Sequence, residues 1–423
     1  MREVNFYKWL VVAMLWCVCF LNYADRQLIF TVFPLLSKEF HMNDASLSVL
    51  SASFMFTYAL FGPIAGLICD RVARRTLVLG ALIFWSLTTA ATAYARSYTQ
   101  LALGIALGGL AEAFYFPAAM STIADYHAAD TRSRAMSLHQ SSVYAGSIAG
   151  GAIAGYLGQF YGWRIGFKFF GILGVVLGAG LWLILKEPQR GLSDAMAGKL
   201  PAAGSFFDGL KELARNRIAW LLVAAFIGAN FVAMIFTVWM PTFLYRRFQM
   251  SLTMSGLNGT AYLQIASVLG VICGGALADR QVRRRPGDRG ARMRVQALGL
   301  FCGAPFLFIS GWTTVVAVVL GGMIGFGFFK GIYDSNLWAA LYDVIPIERR
   351  GAAVGIMNSL GWLGGAAAQL AIGVTSQRFG MNVCLSATAV IYLAVALMMT
   401  FGARSLARQA ASTEQPHSLA RHV

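Results

Sequence analysis

The chain has 423 residues, 58% hydrophobic and only 12% charged, with 45 Gly and 30 Phe. A soluble domain carries about 25% charged residues, and a chain of this size would have to hide more apolar surface than one core holds, so a soluble globular fold is excluded. The formal net charge of +16 would suggest nucleic acid in a soluble protein, but here the basic residues follow a membrane topology.

Apolar stretches long enough to cross a bilayer, which takes about 20 residues, fall at 9–33, 46–69, 76–94, 98–124, 135–157, 165–185, 218–244, 253–278, 293–311, 313–343, 352–374 and 384–403. The sequence therefore predicts an all-α polytopic membrane protein of twelve transmembrane helices. The first stretch is no signal peptide, because it is too long, lacks a small-residue cleavage site and contains Asp25 and Arg26. With both termini in the cytoplasm, most Lys and Arg fall in the termini and inner loops, while Arg26 and Lys330 lie within spans. That is the positive-inside pattern. Cys17, Cys19, Cys69, Cys273, Cys302 and Cys384 lie in or at the ends of spans without CxxC or zinc spacing, so neither a metal site nor a disulfide is expected.

The chain repeats internally. GxxxDRxxRR occurs at 66–75 and again at 275–284, after the second and eighth spans. Asp125 and Arg132 before the fifth span match Asp343 and Arg350 before the eleventh, a shift of 218. The expected division is a six-helix bundle over 1–185, a polar connector over 186–217, a second six-helix bundle over 218–403 and a polar tail over 404–423.

Charges inside a bilayer are costly and are functional candidates by default. In the first span Asn22, Asp25 and Arg26 share one helix face, with Tyr23 one turn before Arg26. The fourth span carries Glu112 and Tyr115, and the shift of 218 takes them to Lys330 and Tyr333 of the tenth. Asp334 lies four residues beyond Lys330, so Lys330 has a local partner as well as Glu112 as a distant one. Gln140 and Tyr144 of the fifth span, Asn230 of the seventh, Tyr262 and Gln264 of the eighth, and Asn358 and Trp362 of the eleventh complete a polar cavity lining. His139 reads as a packing residue, because interhelical hydrogen bonds commonly hold membrane helices together. The chain contains no GxxxxGK[ST], HExxH or GxSxG. It is therefore expected to be neither an ATPase nor another enzyme, and to need no cofactor or metal.

Two six-span halves with repeated GxxxDRxxRR loops resemble the major facilitator superfamily over essentially the whole chain. The resemblance implies a conformational latch formed by Gly66, Asp70, Arg71, Arg74 and Arg75 and by Asp279, Arg280, Arg283 and Arg284. In it Asp70 and Asp279 would cap a neighbouring helix and bond the arginines that follow.

NYADR at 22–26, GLAEA at 109–113 with FPAA at 116–119, and GWR at 162–164 look like the anion:cation symporter family, which imports sugar acids and other carboxylates with protons. On that likeness Asp25 and Glu112 are proton carriers, and Tyr23 and Arg26 contact the substrate. The same residues with KEPQRG at 186–191 also look like bacterial relatives of the spinster family, which is linked to lysolipid and sphingolipid-type amphiphiles. Both families usually have an Arg where this chain has Ile105, and the symporters often a Gln in place of Val143. With Ile105 there, Glu112 is expected to be protonated in at least one state unless Lys330 reaches it.

The expected function is secondary active transport, namely proton-coupled uptake of a small organic anion by alternating access. A spinster-like amphiphile carrier and a drug or neutral-solute facilitator are the alternatives. The expected setting is a bacterial-type cytoplasmic (inner) membrane, with protons, an organic anion and lipid as partners and no nucleic acid, and a monomer suffices.

Overall fold

A segment in lipid must satisfy its own backbone hydrogen bonds, so apolar stretches of this length fold as helices. The computed structural model describes residues 2–69, 71–187, 206–284, 288, 290–346 and 349–414. All regular structure among them is helical: α1 (Arg2–Thr31), α2 (Phe33–Phe40), α3 (Asp44–Cys69), α4 (Arg74–Thr92), α5 (Tyr98–Ala113), α6 (Tyr115–Tyr126), α7 (Ala129–Tyr161), α8 (Trp163–Ile184), α9 (Phe206–Arg215), α10 (Arg217–Phe248), α11 (Leu252–Arg284), α12 (Ala291–Trp312), α13 (Val316–Asp334), α14 (Leu337–Tyr342), α15 (Arg350–Phe379) and α16 (Met381–Glu414).

Among the described residues, 10 helical stretches are long and apolar enough to cross a membrane. Helices α7 and α15, 33 and 30 residues long, cover the predicted spans at 135–157 and 352–374 and are less apolar. Glycine accounts for part of that. A Cβ at Gly150 of α7 would lie 2.4 Å from Ala24 Cα, so this helix packs against the backbone of α1, as small residues permit in membranes.

Three predicted spans are not continuous helices. The fourth breaks between α5 and α6 at Phe114, because Pro117 has no N–H for the Ala113 carbonyl. The first ends at Thr31, and Pro34 opens α2 within its first turn. The tenth breaks between α13 and α14, where Asn336 Nδ2 donates to Ser335 Oγ at 2.8 Å and to the Gly274 carbonyl at 3.3 Å. Gly162 and Gly380, a shift of 218, both have φ 84, a conformation glycine adopts without strain. They begin α8 and α16 in the same way.

Packing divides the chain into two compact units. The first holds Met1–Ala202, Met234–Ala261 and Gly365–Arg378, and the second Ala203–Ala233, Tyr262–Gly364 and Phe379–Val423. In the first, α1 lies on α7, α3 on α5, and α4 on α5 and α8. In the second, α12 packs between α13 and α16.

Candidate functional site

A buried charge cluster lies inside the first unit. Arg26 of α1 donates from Nη2 to Glu112 Oε2 at 2.6 Å and from Nε to the same oxygen at 3.2 Å. Nη2 also reaches Asn22 Oδ1 at 3.3 Å, one turn back on α1. Arg26 and Glu112 are only 7% and 3% exposed. The guanidinium carbon lies 4.6, 4.9 and 5.4 Å from the ring centroids of Tyr23, Phe54 and Tyr58, so aromatic faces add cation–π attraction to the ion pair. Phe54 and Tyr58 are four apart on α3 and form one stacked pair at 6.3 Å.

Asp25 points elsewhere. Its Oδ2 accepts a 2.6 Å hydrogen bond from Thr89 Oγ1 of α4. Its Oδ1, and Asn22 Nδ2 beside it, are buried without a hydrogen-bond partner among the described residues. The first-span face predicted from spacing therefore exists, but its two charges serve different neighbours. The cation expected to be missing from Glu112 is supplied by Arg26, while Ile105 is 3% exposed. Lys330 instead forms an ion pair with Asp334, four residues on in α13 of the second unit.

Tyr115 is 2% exposed, and its hydroxyl donates to the Leu15 carbonyl at 2.7 Å and meets His139 Nε2 at 2.9 Å. Both side chains thus tie α6, α7 and α1 together. Gln140 is exposed and Tyr144 half-buried. Asn230 Nδ2 donates to the Gly361 carbonyl at 2.6 Å in the second unit. Tyr262, Gln264, Asn358 and Trp362 are half-buried, and Tyr333 is buried. Sequence reasoning missed Thr89, Phe54 and Tyr58; only the four-residue spacing of the two aromatics hinted at a shared face.

The loop signature resolves into specific contacts, except that Asp70 lies outside the described residues. Arg74 forms an ion pair with Asp125 and donates to the Ser121 carbonyl at 2.8 Å. The N–H groups of Arg74 and Arg75 each donate at 2.8 Å to Glu187, one to either oxygen. A carboxylate thus sits on the positive end of α4. Arg75 donates to the Trp182 carbonyl; Gly66 is half-buried and Arg71 exposed. Asp279, Arg280, Arg283 and Arg284 are exposed on the last turns of α11. In the second unit Arg292 pairs with Asp343 at 3.1 Å, which is the Arg74–Asp125 contact shifted by 218.

His127 sits between these elements, with Nε2 3.1 Å from the Lys8 carbonyl and Nδ1 3.2 Å from Thr131 Oγ1. Burial holds its imidazolium form below the usual histidine range.

At the other end of the first unit, segments from late in the chain bind early ones. Asp44 accepts from Arg246 Nη1 at 2.6 Å and from Ser376 Oγ at 3.1 Å. Gln369 Oε1 accepts from Trp239 Nε1 at 2.9 Å and from Ser51 Oγ at 3.4 Å. Gln159 Oε1 takes both the N–H and the hydroxyl of Thr253, at 3.1 and 2.8 Å.

The family model described as Major Facilitator Superfamily matches residues 15–369. Protein spinster homolog 1 of Homo sapiens is 30% identical over 397 residues, covering 88% of this chain and 74% of its own length. The probable galactarate/D-glucarate transporter GudP of Escherichia coli (strain K12) is 24% identical over 401 residues, covering 88% and 87%. The crystal structure of a bacterial homolog to the human lysosomal transporter Spinster, inward-facing and unoccupied, superposes with a TM-score of 0.84 at 21% identity, covering 95% of this chain and 98% of that one.

Proposed function

The chain belongs to the major facilitator superfamily, is a multi-pass membrane transporter and not an enzyme, and from that premise we propose that it carries a small organic anion together with protons. The observation that supports this reading is the buried Arg26–Glu112 pair inside an aromatic collar. A carboxylate substrate competes with Glu112 for Arg26. Once displaced, Glu112 is a buried charge with no counter-ion, which is costly, and a proton removes that cost. Substrate anion and proton together leave the site neutral, whereas either alone leaves an uncompensated charge. Coupling then follows from the differential cost of the two loading states. Asp25, which accepts a hydrogen bond from Thr89, is the second place for a proton.

The remaining parts of this reading are proposals of the same kind. The moving bodies are the repeat halves 1–185 and 218–403, joined by 186–217. The protein works as a monomer in a cytoplasmic membrane with both termini inside, which the distribution of Lys and Arg supports. The likeness to a probable galactarate/D-glucarate transporter supports a sugar acid as the anion, and uptake is the proposed direction. A second reading, an amphiphile carrier, draws support from the spinster relatives and the aromatic surface around Arg26.

The test is proton movement in proteoliposomes holding a pH dye, on addition of galactarate, glucarate, other carboxylates or a lysolipid. Acidification driven by one carboxylate class, and lost in Glu112→Gln, is the expected result. Proton flux with lysolipid alone would transfer the argument to the second reading. No proton movement with any carboxylate would sink the first.

A further inference from the structure

Buried polar atoms in the second unit are not accounted for by the charge cluster of the first. Tyr333, Tyr392 and Gln296 are 1%, 0% and 0% exposed. Their two phenolic oxygens and Gln296 Oε1 have no hydrogen-bond partner among the described residues. They come from α13, α16 and α12, which pack together. Gln296 Nε2 reaches the Tyr333 carbonyl at 3.5 Å. Further along the same face of α12, a Cβ at Gly299 would lie 3.0 Å from Tyr333 N, and one at Gly303 3.5 Å from Tyr392 Cε1. The Tyr392 ring stands edge-on to Phe326 at 5.5 Å. Asp334 is the charged group that bears on its hydroxyl.

The internal repeat sharpens the anomaly. A shift of 218 maps Tyr333 onto Tyr115, whose hydroxyl is bonded to Leu15 and His139. The same shift maps Met357 onto His139, Gln296 onto Val78 and Tyr392 onto Gly174. At these positions the second half lacks the histidine partner and carries two additional polar side chains on neighbouring helices. Buried polar groups in native proteins are rarely left unbonded, and ordered water is the usual partner when protein is not.

The hydrogen-bond inventory selects among small guests. Each phenol brings one donor hydrogen, and the amide oxygen is an acceptor. A metal cation would occupy lone pairs and leave both phenolic hydrogens unsatisfied. One water can accept from two phenols and donate to an amide oxygen, with a hydrogen left for a fourth partner. We propose that Tyr333, Tyr392 and Gln296 hold one internal water molecule that bridges α12, α13 and α16 beside the Lys330–Asp334 pair.

Radiolytic footprinting tests this on the intact wild-type protein, because an X-ray pulse generates hydroxyl radicals from bound water in place and oxidises the side chains that touch it. Tyr115, equally buried but bonded to protein groups, is the internal control. Tyr333 and Tyr392 are expected to oxidise several-fold faster than Tyr115, and Tyr392→Phe is expected to lower the Tyr333 rate. Tyr333 and Tyr392 as unreactive as Tyr115 would overturn the proposal, as would a Tyr333 rate indifferent to Tyr392→Phe. Neither readout depends on which substrate the protein carries.

Discussion

Removing both partners of the Arg26–Glu112 pair should cost less than the sum of removing each. The groups meet at 2.6 Å with side-chain exposures of 8% and 3%, so neither regains water when the other is lost. A buried charge left without its partner costs about 3–5 kcal/mol, whereas neutral, well-packed replacement of the whole pair is often tolerated. Glu112→Gln takes away the carboxylate 2.6 Å from the guanidinium and leaves a buried cation beside Asn22 Oδ1 at 3.3 Å and three aromatic rings. Arg26→Gln strands Glu112 in the same way. Each single variant is therefore expected to lose about 3–5 kcal/mol, and the double variant to lose less than their sum by at least about 2 kcal/mol, within the range for residues in direct contact. The assay is reversible unfolding by titration of sodium dodecyl sulfate into mild detergent, followed by the fluorescence of the 10 tryptophans. Additivity to within about 0.5 kcal/mol, the behaviour of independent sites, would refute the pairing and with it the displacement step proposed for transport.

Three further outcomes concern positions outside that pair. Because burial favours neutral His127, the unfolded chain takes up the proton first as pH falls, so His127 contributes stability above about pH 6.5 that is lost on acidification. His127→Gln should flatten that part of the stability–pH curve, and an unchanged slope would contradict the assignment. Glu187→Gln removes a full charge from the N-terminus of α4 and should cost about 0.3–1 kcal/mol at low ionic strength; a loss insensitive to salt would show that charge is not the cause. In Gly151→Ala the new methyl would lie 2.5 Å from the Gly256 carbonyl oxygen, forcing α7 from α11. Spin labels at the exposed positions Tyr156 and Met254 should then show a longer-distance population by pulsed electron resonance, and an identical distribution would refute the steric argument.

The fold was legible because its cause is local: each span declares itself by apolar length, and the repeat declares itself by matching loops. Helix breaks at Phe114 and Val32 were readable in principle from Pro117 and Pro34, but apolar length alone runs through them. The charged residues of the site were also visible, since Asp25, Arg26 and Glu112 are conspicuous in apolar surroundings. Their pairing was not. Spacing along α1 puts Asp25 and Arg26 on one face but cannot say that Thr89 takes the first and Glu112 the second, because those contacts cross 64 and 86 residues. Threonine is also inconspicuous in a membrane helix, where its hydroxyl so often bonds its own backbone, as Thr88 and Thr92 do here. Glu187 was part of a recognised motif, yet its partners are backbone N–H groups, which carry no sequence signature.

Where the two halves agree and where they differ separates mechanics from chemistry. The shift of 218 preserves the glycines that open α8 and α16 and the pairs Arg74–Asp125 and Arg292–Asp343. It also preserves Arg132 Nε on the His127 carbonyl at 3.1 Å and Arg350 Nε on the Ile345 carbonyl at 3.3 Å. All of these lie at helix ends. Deeper in the helices the likeness fails: Glu112 faces Lys330 in the alignment, His139 faces Met357, and aligning His41 with Gln249, the two non-glycine residues of positive φ, sets Asp25 and Arg26 against Ala233 and Met234. Helix ends have orphan backbone groups and macrodipoles to satisfy in either half, so the same solution serves twice. A cargo has no such symmetry, and one carboxylate ligand needs one cation. The duplicated ends therefore answer a need common to both halves, and the unduplicated Arg26–Glu112 pair is the feature on which the proposed reading of the cargo rests.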